Sequence, residues 1–178
     1  AQDMASIERI YTDCPAIYRE INDYMPKLCQ DGLLKFYKDD ALSLSTLYHI
    51  RGNMDELLNS KVWLPSGANI IIETLETLTV IDVNSGKNQS RKEDTILRIN
   101  LEAAREIARQ LKLRNISGMI IVDFINLKSQ EQKEELIRCI RQELKKDTVP
   151  AQFIDITRLG LVELTRKKVY KSLREILQ

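Results

Sequence analysis

The sequence contains two apolar stretches around which we predict the sheet to form, Val80-Ile81-Asp82-Val83-Asn84-Ser85-Gly86 and Ile120-Ile121-Val122-Asp123-Phe124. Each is an apolar run that contains an aspartate near its end, which is typical of a buried strand that presents a carboxylate at the edge of a sheet. The segment between them is long enough for a loop, a helix and a return strand, and a right-handed crossover of this kind lays two strands parallel. We therefore predict that Asp82 and Asp123 lie side by side at one sheet edge.

Two carboxylates at the ends of neighbouring strands predict a metal site. Open α/β sheets bind ligands at that edge, and Mg²⁺ is usually held by one or two carboxylates with water and substrate phosphate. Asn84 projects to the same side of its strand as Asp82, where it could hydrogen-bond the second carboxylate or a metal-bound water. Local explanations stay open, because an Asp after a strand often forms a turn or a helix cap and Asn84 also suits an Asx-turn.

The surrounding sequence predicts an α/β fold with a mixed sheet flanked by helices. Strands are predicted at 7–13, 33–37, 69–73, 78–83, 119–122 and 151–157, and helices at 17–24, at 50–58, from Glu93 or Asp94, and after Ser129. The helix from Glu93 carries an apolar stripe, which predicts that it packs against the sheet. Ser129 and Gln132 predict a capping box for the helix that follows.

Composition predicts an ordinary globular protein. The chain has 178 residues and is 43% hydrophobic, enough for one core or for two small subdomains that share one. Lys and Arg number 27 against 26 acidic residues, so the overall charge does not favour a nucleic-acid partner. No apolar stretch is long enough to span a bilayer and the start does not resemble a signal peptide, so we expect a cytoplasmic location. Cys14, Cys29 and Cys139 are far apart and predict neither disulfides nor a zinc site.

Several blocks of this sequence resemble the catalytic core of the ribonuclease E/G family, bacterial endoribonucleases that cut single-stranded RNA. In order, the blocks are Lys61-Val62-Trp63-Leu64-Pro65-Ser66-Gly67, Ile81-Asp82-Val83-Asn84-Ser85-Gly86-Lys87, Asn100-Leu101-Glu102-Ala103-Ala104, Glu106-Ile107-Ala108-Arg109-Gln110-Leu111-Lys112-Leu113-Arg114, Gly118 to Phe124, and Leu159-Gly160-Leu161-Val162-Glu163-Leu164-Thr165-Arg166-Lys167. One block alone is weak, whereas all of them in the family's order are a strong signal.

The resemblance implies a division into two parts. Residues 61–178 resemble the family's DNase I-like catalytic subdomain, and residues 1–60 resemble a portion of its RNase H-like subdomain. No segment resembles the OB-fold RNA-binding module, the 5′-sensor module or the Cys-Pro-x-Cys zinc-link through which many members dimerise. A homo-oligomer is compatible with the sequence, but this chain has no zinc-link cysteines to build it.

The resemblance also implies a reaction, the Mg²⁺-dependent hydrolysis of phosphodiester bonds in single-stranded RNA to give 5′-phosphate products. Asp82 and Asp123 would hold the metal, and Asn84 would orient Asp123 as the third member of the catalytic set. The RNA-binding residues implied by the same blocks are Lys87, Lys112, Arg114, Arg158, Arg166 and Lys167. For the basic residues near the C-terminus, the structural alternative is a solvated surface.

Two function hypotheses follow. The first is a ribonuclease core that retains the metal site, and the second is a non-catalytic RNA-binding or assembly module that kept the fold. Joint retention of Asp82, Asn84 and Asp123 favours the first, although Asn126 stands where relatives commonly have Asp. A Mg²⁺-dependent phosphatase of another α/β class would explain the Asp pair but none of the other blocks. For Asn100, the resemblance implies a place in the active-site framework, and the alternative is a structural hydrogen bond to a nearby loop.

Overall fold

The structure is a computed structural model that describes residues 8–86 and 93–177. The chain forms two compact units, residues 1–56 and 57–178. The boundary lies close to the one predicted after residue 60, and the subdomain identities given above stay predictions. Within the described ranges, no helix has the length and hydropathy needed to cross a bilayer. The cytoplasmic location also stays a prediction.

The first unit is built around a short pair of parallel strands. Its elements are β1 (Ile10–Thr12), α1 (Pro15–Tyr24), α2 (Pro26–Gln30), β2 (Leu34–Phe36), α3 (Leu44–Leu47) and α4 (Ile50–Leu58), the last of which crosses into the second unit. Pro15 and Pro26 stand in the first turns of α1 and α2, where the missing N–H breaks no helical hydrogen bond. Leu28 and Leu34 are its buried hydrophobic side chains among the described residues.

The second unit is a six-stranded mixed sheet in the order β3-β4-β5-β6-β8-β7. The strands are β3 (Lys61–Trp63), β4 (Asn69–Thr74), β5 (Leu78–Asn84), β6 (Gly118–Asp123), β7 (Ala151–Ile156) and β8 (Val162–Arg166), and the helices are α5 (Glu93–Leu113), α6 (Gln130–Lys145) and α7 (Leu173–Leu177). β5 and β6 are parallel, and every other neighbouring pair is antiparallel. The predicted mixed sheet flanked by helices is therefore confirmed, whereas β3, β8, α2 and α3 were not predicted.

The core lies on the face of the sheet that α5 and α6 cover. Alternate residues of the central strands, such as Ile81, Val83, Ile120 and Val122, are buried there with the apolar stripe of α5. Burying a side chain of this size contributes about 1.5–3 kcal/mol relative to leaving it exposed. Because strand side chains alternate, the residues between them, including Asp82, lie on the second face.

A left-handed residue ends α5 and starts the path into β6. Asn115 has φ 49°, and the Ile116 N–H donates to the Leu111 carbonyl at 3.0 Å, as in a Schellman ending. Asn is tolerated in this conformation, and its side chain amide also bonds outside the helix. The sharp ending returns the chain to the sheet edge at which β6 begins.

The predicted capping box at Ser129 is wrong. Ser129 has the extended backbone of an N-cap, but its side chain makes no capping hydrogen bond, and Gln132 Oε1 is buried without a partner among the described residues. The reciprocal pair forms instead at α7. There the Glu175 N–H donates to Ser172 Oγ at 3.3 Å, and the Ser172 N–H donates to Glu175 Oε2 at 2.7 Å.

Candidate active site

Two parallel strands bring Asp82 and Asp123 into register. The two residues are Cα partners in the β5–β6 pairing, and neighbouring strands lie about 4.8 Å apart. Partners on adjacent strands point to the same side of a sheet, which here is the face opposite α5 and α6. Asp82 is half-buried and Asp123 is exposed. The predicted juxtaposition is confirmed, and the catalytic roles stay predictions.

Asn84 contacts Asp82 and not Asp123. Its Nδ2 donates to Asp82 Oδ2 at 2.6 Å. No hydrogen bond from Asn84 to Asp123 is found, and no β6 residue stands opposite Asn84 in the register because β6 ends at Asp123. Orientation of Asp123 by Asn84 stays a prediction. Residues two apart on a strand share a face, and the nearer carboxylate takes the amide. Asn84 therefore fixes the orientation of Asp82.

Asn100 of α5 anchors the segment that follows Asp123. The side chain is fully buried, its Nδ2 donates to the Ile125 carbonyl at 2.7 Å, and its Oδ1 accepts from the Ile125 N–H at 3.1 Å. This confirms the structural alternative for Asn100. Because Ile125 lies two residues beyond Asp123, the same bonds also fix the direction in which the chain leaves the site.

The end of β5 is held against the turn between β3 and β4. Gly86 has φ +63°, and a Cβ added there would overlap the carbonyl oxygen of Gly67. Only glycine combines this backbone conformation with such a close approach. The turn itself is tied to α5, since the Ser66 N–H donates to Glu102 Oε1 at 3.2 Å. These contacts fix the chain just beyond Asn84.

The carboxylate pair has the donor chemistry of a magnesium site. Both ligands are hard oxygen donors, and the ion pairs found among the described residues involve neither Asp82 nor Asp123. Within the same ranges no group of three or more His, Cys, Asp or Glu side chains converges. A closed zinc or calcium cage is therefore not formed there, whereas Mg²⁺ needs only one or two carboxylates.

The predicted RNA-binding residues divide between the two edges of the sheet. Arg158 is exposed in the β7–β8 turn at the carboxylate edge, because β8 begins at Val162, the partner of Val122. At the opposite edge, where β6 begins and α5 and β8 end, lie Lys112, Arg114, Arg166 and Lys167. Lys87 lies outside the described residues. For exposed Lys112 and Lys167, RNA contact stays a prediction.

The Arg166 guanidinium is used inside the protein, which argues against the RNA contact predicted for it. Its side chain is 3% exposed, and its Nε donates to Asp147 Oδ2 at 2.8 Å. Its Nη1 donates to Asn115 Oδ1 at 2.8 Å and to the Ile116 carbonyl at 3.0 Å. A charged side chain that is buried and paired in this way stabilises the fold and is not available to a phosphate.

The structure also engages Arg114 inside the protein, and its predicted RNA contact stays a prediction. Arg114 is buried, its Nε donates to Gln110 Oε1 at 2.7 Å, and its Nη1 donates to the Asn59 carbonyl at 2.8 Å. Burial lowers the pKa of this guanidinium, an effect that the charge of Glu106 partly opposes. Arg114 lies at the edge of the sheet away from the two aspartates.

Two cations at the carboxylate edge were not singled out from the sequence. Lys128 is exposed in the loop that follows Asp123, and Arg98 is exposed in the N-terminal half of α5. The position of Lys128 just after a strand that carries an Asp was the signal available in the sequence. Arg98 could not be found in this way, because a helix face is placed only by tertiary packing.

Comparison with known proteins identifies one family. The family model described as Ribonuclease E/G family matches residues 2–169. Ribonuclease E of Synechocystis sp. is 42% identical over 98% of this chain and 27% of its own length. Ribonuclease G of Salmonella typhimurium is 33% identical over 97% of this chain and 36% of its own length. A chloroplastic ribonuclease E/G-like protein of Arabidopsis thaliana is 34% identical over 93% of this chain and 17% of its own length. The chain thus spans about a third or less of each of these relatives.

Proposed function

This chain belongs to the ribonuclease E/G family, and on that premise we propose that it forms the catalytic part of an endoribonuclease. The proposed reaction is the Mg²⁺-dependent hydrolysis of phosphodiester bonds in single-stranded RNA, which leaves 5′-phosphate products and serves RNA processing and decay. The observation that carries the proposal is the in-register pair Asp82 and Asp123 on one face of the sheet. The similarity to ribonuclease E and ribonuclease G supports ribonuclease activity.

Asp82 and Asp123 would hold the metal. A bound Mg²⁺ supplies positive charge to the scissile phosphate and lowers the pKa of a bound water. The contribution of Asn84 is orientation, because its 2.6 Å hydrogen bond holds Asp82 Oδ2 in one direction. Asn100 bonds the backbone of Ile125 and not an aspartate, so it fixes the segment that follows Asp123.

Exposed cations at the same edge would hold the RNA backbone. Arg158 and Lys128 flank the end of β6 from the β7–β8 turn and from the loop after Asp123. Contacts of this kind position a strand through its phosphates and do not read its bases. Because this chain matches only part of its relatives, segments that they carry elsewhere would add binding energy that positions the scissile bond.

The test is cleavage of a 5′-labelled single-stranded RNA by the chain, with Mg²⁺ or with EDTA. Wild type is compared with Asp82→Asn and Asp123→Asn, which keep side-chain shape and remove charge. Asp155→Asn is the matched control, because Asp155 is an exposed aspartate of β7 in the same sheet. We expect Mg²⁺-dependent cuts that both site variants lose and that the control keeps, and 5′-phosphate ends detected with a 5′-phosphate-dependent exonuclease.

Two results would contradict the proposal. Cleavage that persists in both site variants would place the chemistry elsewhere. RNA that is bound by Mg²⁺-loaded wild type and never cut would instead favour a non-catalytic RNA-binding module.

A further inference from the structure

A cavity of about 510 Å³ lies at the end of the sheet where β5 and β6 begin, opposite the end that carries the two aspartates. Ligand pockets for small molecules commonly have volumes of about 300–1,000 Å³. Its lining comes from the segment before β3, the β4–β5 hairpin, the end of α5, the start of β6 and α7, all within the second unit. Thr79 is at the cavity and Asp82 is three residues further along β5, about 10 Å at 3.3 Å per residue. We call this space the Arg114 cavity.

Arg114 gives the cavity its chemistry. This residue is only 8% exposed, and two of its nitrogens donate to neutral acceptors, Gln110 Oε1 and the Asn59 carbonyl. Its third nitrogen, Nη2, is buried and has no acceptor among the described protein atoms. Arg keeps its charge in proteins, so a buried guanidinium with an unpaired N–H group is costly unless an anion approaches it.

The charges around the cavity favour an anion. Two further cations, Lys168 and Arg174, line it together with two acids, Glu76 and Glu175. Glu175 is already engaged, because Lys168 Nζ lies 3.3 Å from its Oε1 and the Ser172 N–H donates to its Oε2 at 2.7 Å. With Arg114 included, the lining carries more positive than negative charge. Apart from Asn59, the uncharged part of the lining is apolar or bears hydroxyl groups, and it includes Leu57, Ile72, Leu75, Leu78, Ile116, Thr77 and Ser117.

We propose that the Arg114 cavity binds a small organic oxyanion, a phosphate monoester or a carboxylate carried on an apolar body, with the Arg114 guanidinium as its cationic partner. Guanidinium N–H groups pair strongly with phosphate and carboxylate oxygens, and the apolar lining accommodates the rest of the ligand. The site is separate from the carboxylate pair, and the inference does not depend on the proposed nuclease activity.

The test is a titration of the ¹⁵N-labelled chain, followed by amide shifts in NMR spectra. Phenyl phosphate and benzoate carry the two oxyanions on the same ring, and benzyl alcohol is the uncharged control. We expect saturable shifts at the amides of Thr79, Ile116 and Ser117 with at least one anion and not with the alcohol. The anion that binds more tightly identifies the head group. Shifts confined to the amides around Asp82 and Asp123, or no shifts at the cavity in the folded chain, would overturn the proposal.

Three variants assign the binding to the cavity. Arg114→Gln should weaken the anion at least about tenfold, because it removes a charge-assisted hydrogen bond. Arg109→Gln removes the same charge from an exposed position on α5, five residues before Arg114, and should leave the affinity unchanged. Ser117→Leu fills the cavity without altering Arg114 and should also weaken binding. Wild-type affinity in both Arg114→Gln and Ser117→Leu would overturn the proposal.

Discussion

At the scale of single residues, two asparagines fix the two aspartates in different ways. Asn84 holds the Asp82 carboxylate directly, whereas Asn100 holds the backbone beyond Asp123 through both atoms of its amide. The first contact is half-buried and local to one strand, and the second is fully buried and joins a helix to a loop. Losing the first should therefore affect activity, and losing the second should affect stability.

Replacing Asn84 tests its orienting role. Asn84→Ala should lower Mg²⁺-dependent cleavage about 10–100-fold, the usual cost of losing a group that orients a metal ligand. Thermal unfolding should change little, because Asn84 is half-buried. Asn84→Asp keeps the shape but lacks the N–H donor, so it should be as impaired as Asn84→Ala. A wild-type rate for Asn84→Asp would contradict this role.

Replacing Asn100 tests the anchor. Asn100→Leu leaves the N–H and the carbonyl of Ile125 without their partner, and each unsatisfied buried group costs about 1–3 kcal/mol. We expect a large loss of unfolding free energy in urea titrations. Asn126→Leu, at an exposed position in the same loop, should stay within about 0.5 kcal/mol of wild type. Equal stabilities for the two variants would show that Asn100 is not an anchor.

Residue placement was predictable only where sequence spacing sets it. Apolar runs that carry Asp82 and Asp123 predicted their shared edge, because strand period and crossover handedness leave few choices. The hydrogen bond from Asn84 to Asp82 was not predicted, since it depends on where β6 stops. Burial of Arg166 was also missed, because its partners Asp147 and Asn115 lie 19 and 51 residues away in sequence.

Among the secondary-structure elements, one buried ion pair helps to connect the C-terminal ends of a strand and two helices. Arg166 is the last residue of β8, Asp147 follows α6, and Asn115 follows α5. The Arg166 guanidinium therefore connects all three elements. The side chains of Arg166 and Asp147 are 3% and 5% exposed, which leaves almost no solvent screening. The basic run at the end of β8 thus contains a residue that stabilises the fold.

Breaking that pair should destabilise the chain. Arg166→Met leaves the Asp147 charge buried and unpaired, a change that costs about 3–5 kcal/mol in buried pairs. Arg109→Met breaks a pair whose Arg side chain is 61% exposed and should cost less than about 1 kcal/mol. Chemical unfolding of both variants measures the difference. A similar small loss in both would restore Arg166 as a candidate for RNA contact.

The capping box of α7 predicts a local pH dependence. Hydrogen bonds from the Ser172 backbone and side chain, with a smaller contribution from Lys168, lower the pKa of Glu175 from 4.5 to about 2. A lowered carboxyl pKa means that the cap stabilises α7 fully above about pH 4.5 and is lost as the pH falls through about 2. The Ser172 amide shift should therefore titrate near pH 2, and Ser172→Ala should move the midpoint upward. A wild-type midpoint near 4.5 would contradict the cap.

At the scale of the whole molecule, the second unit carries all the described candidate residues. The carboxylate pair lies at one edge of its sheet and the Arg114 cavity at the other. The hydrophobic periodicity of the sequence predicted the β4–β5 hairpin and the crossover from β5 to β6. Long periodic apolar patterns are the strongest sequence signal for secondary structure. Neither the short β8 nor the cavity could be predicted, since both depend on how distant segments close around the sheet.

Binding of Mn²⁺ to the ¹⁵N-labelled chain tests whether the two aspartates hold a metal, because Mn²⁺ replaces Mg²⁺ at oxygen-rich sites. Paramagnetic broadening should be strongest at the amides around Asp82 and Asp123, should be reversed by excess Mg²⁺, and should be lost in Asp82→Asn and Asp123→Asn but not in Asp155→Asn. Broadening that persists in both site variants, or that centres on another part of the chain, would contradict a metal site formed by the two aspartates.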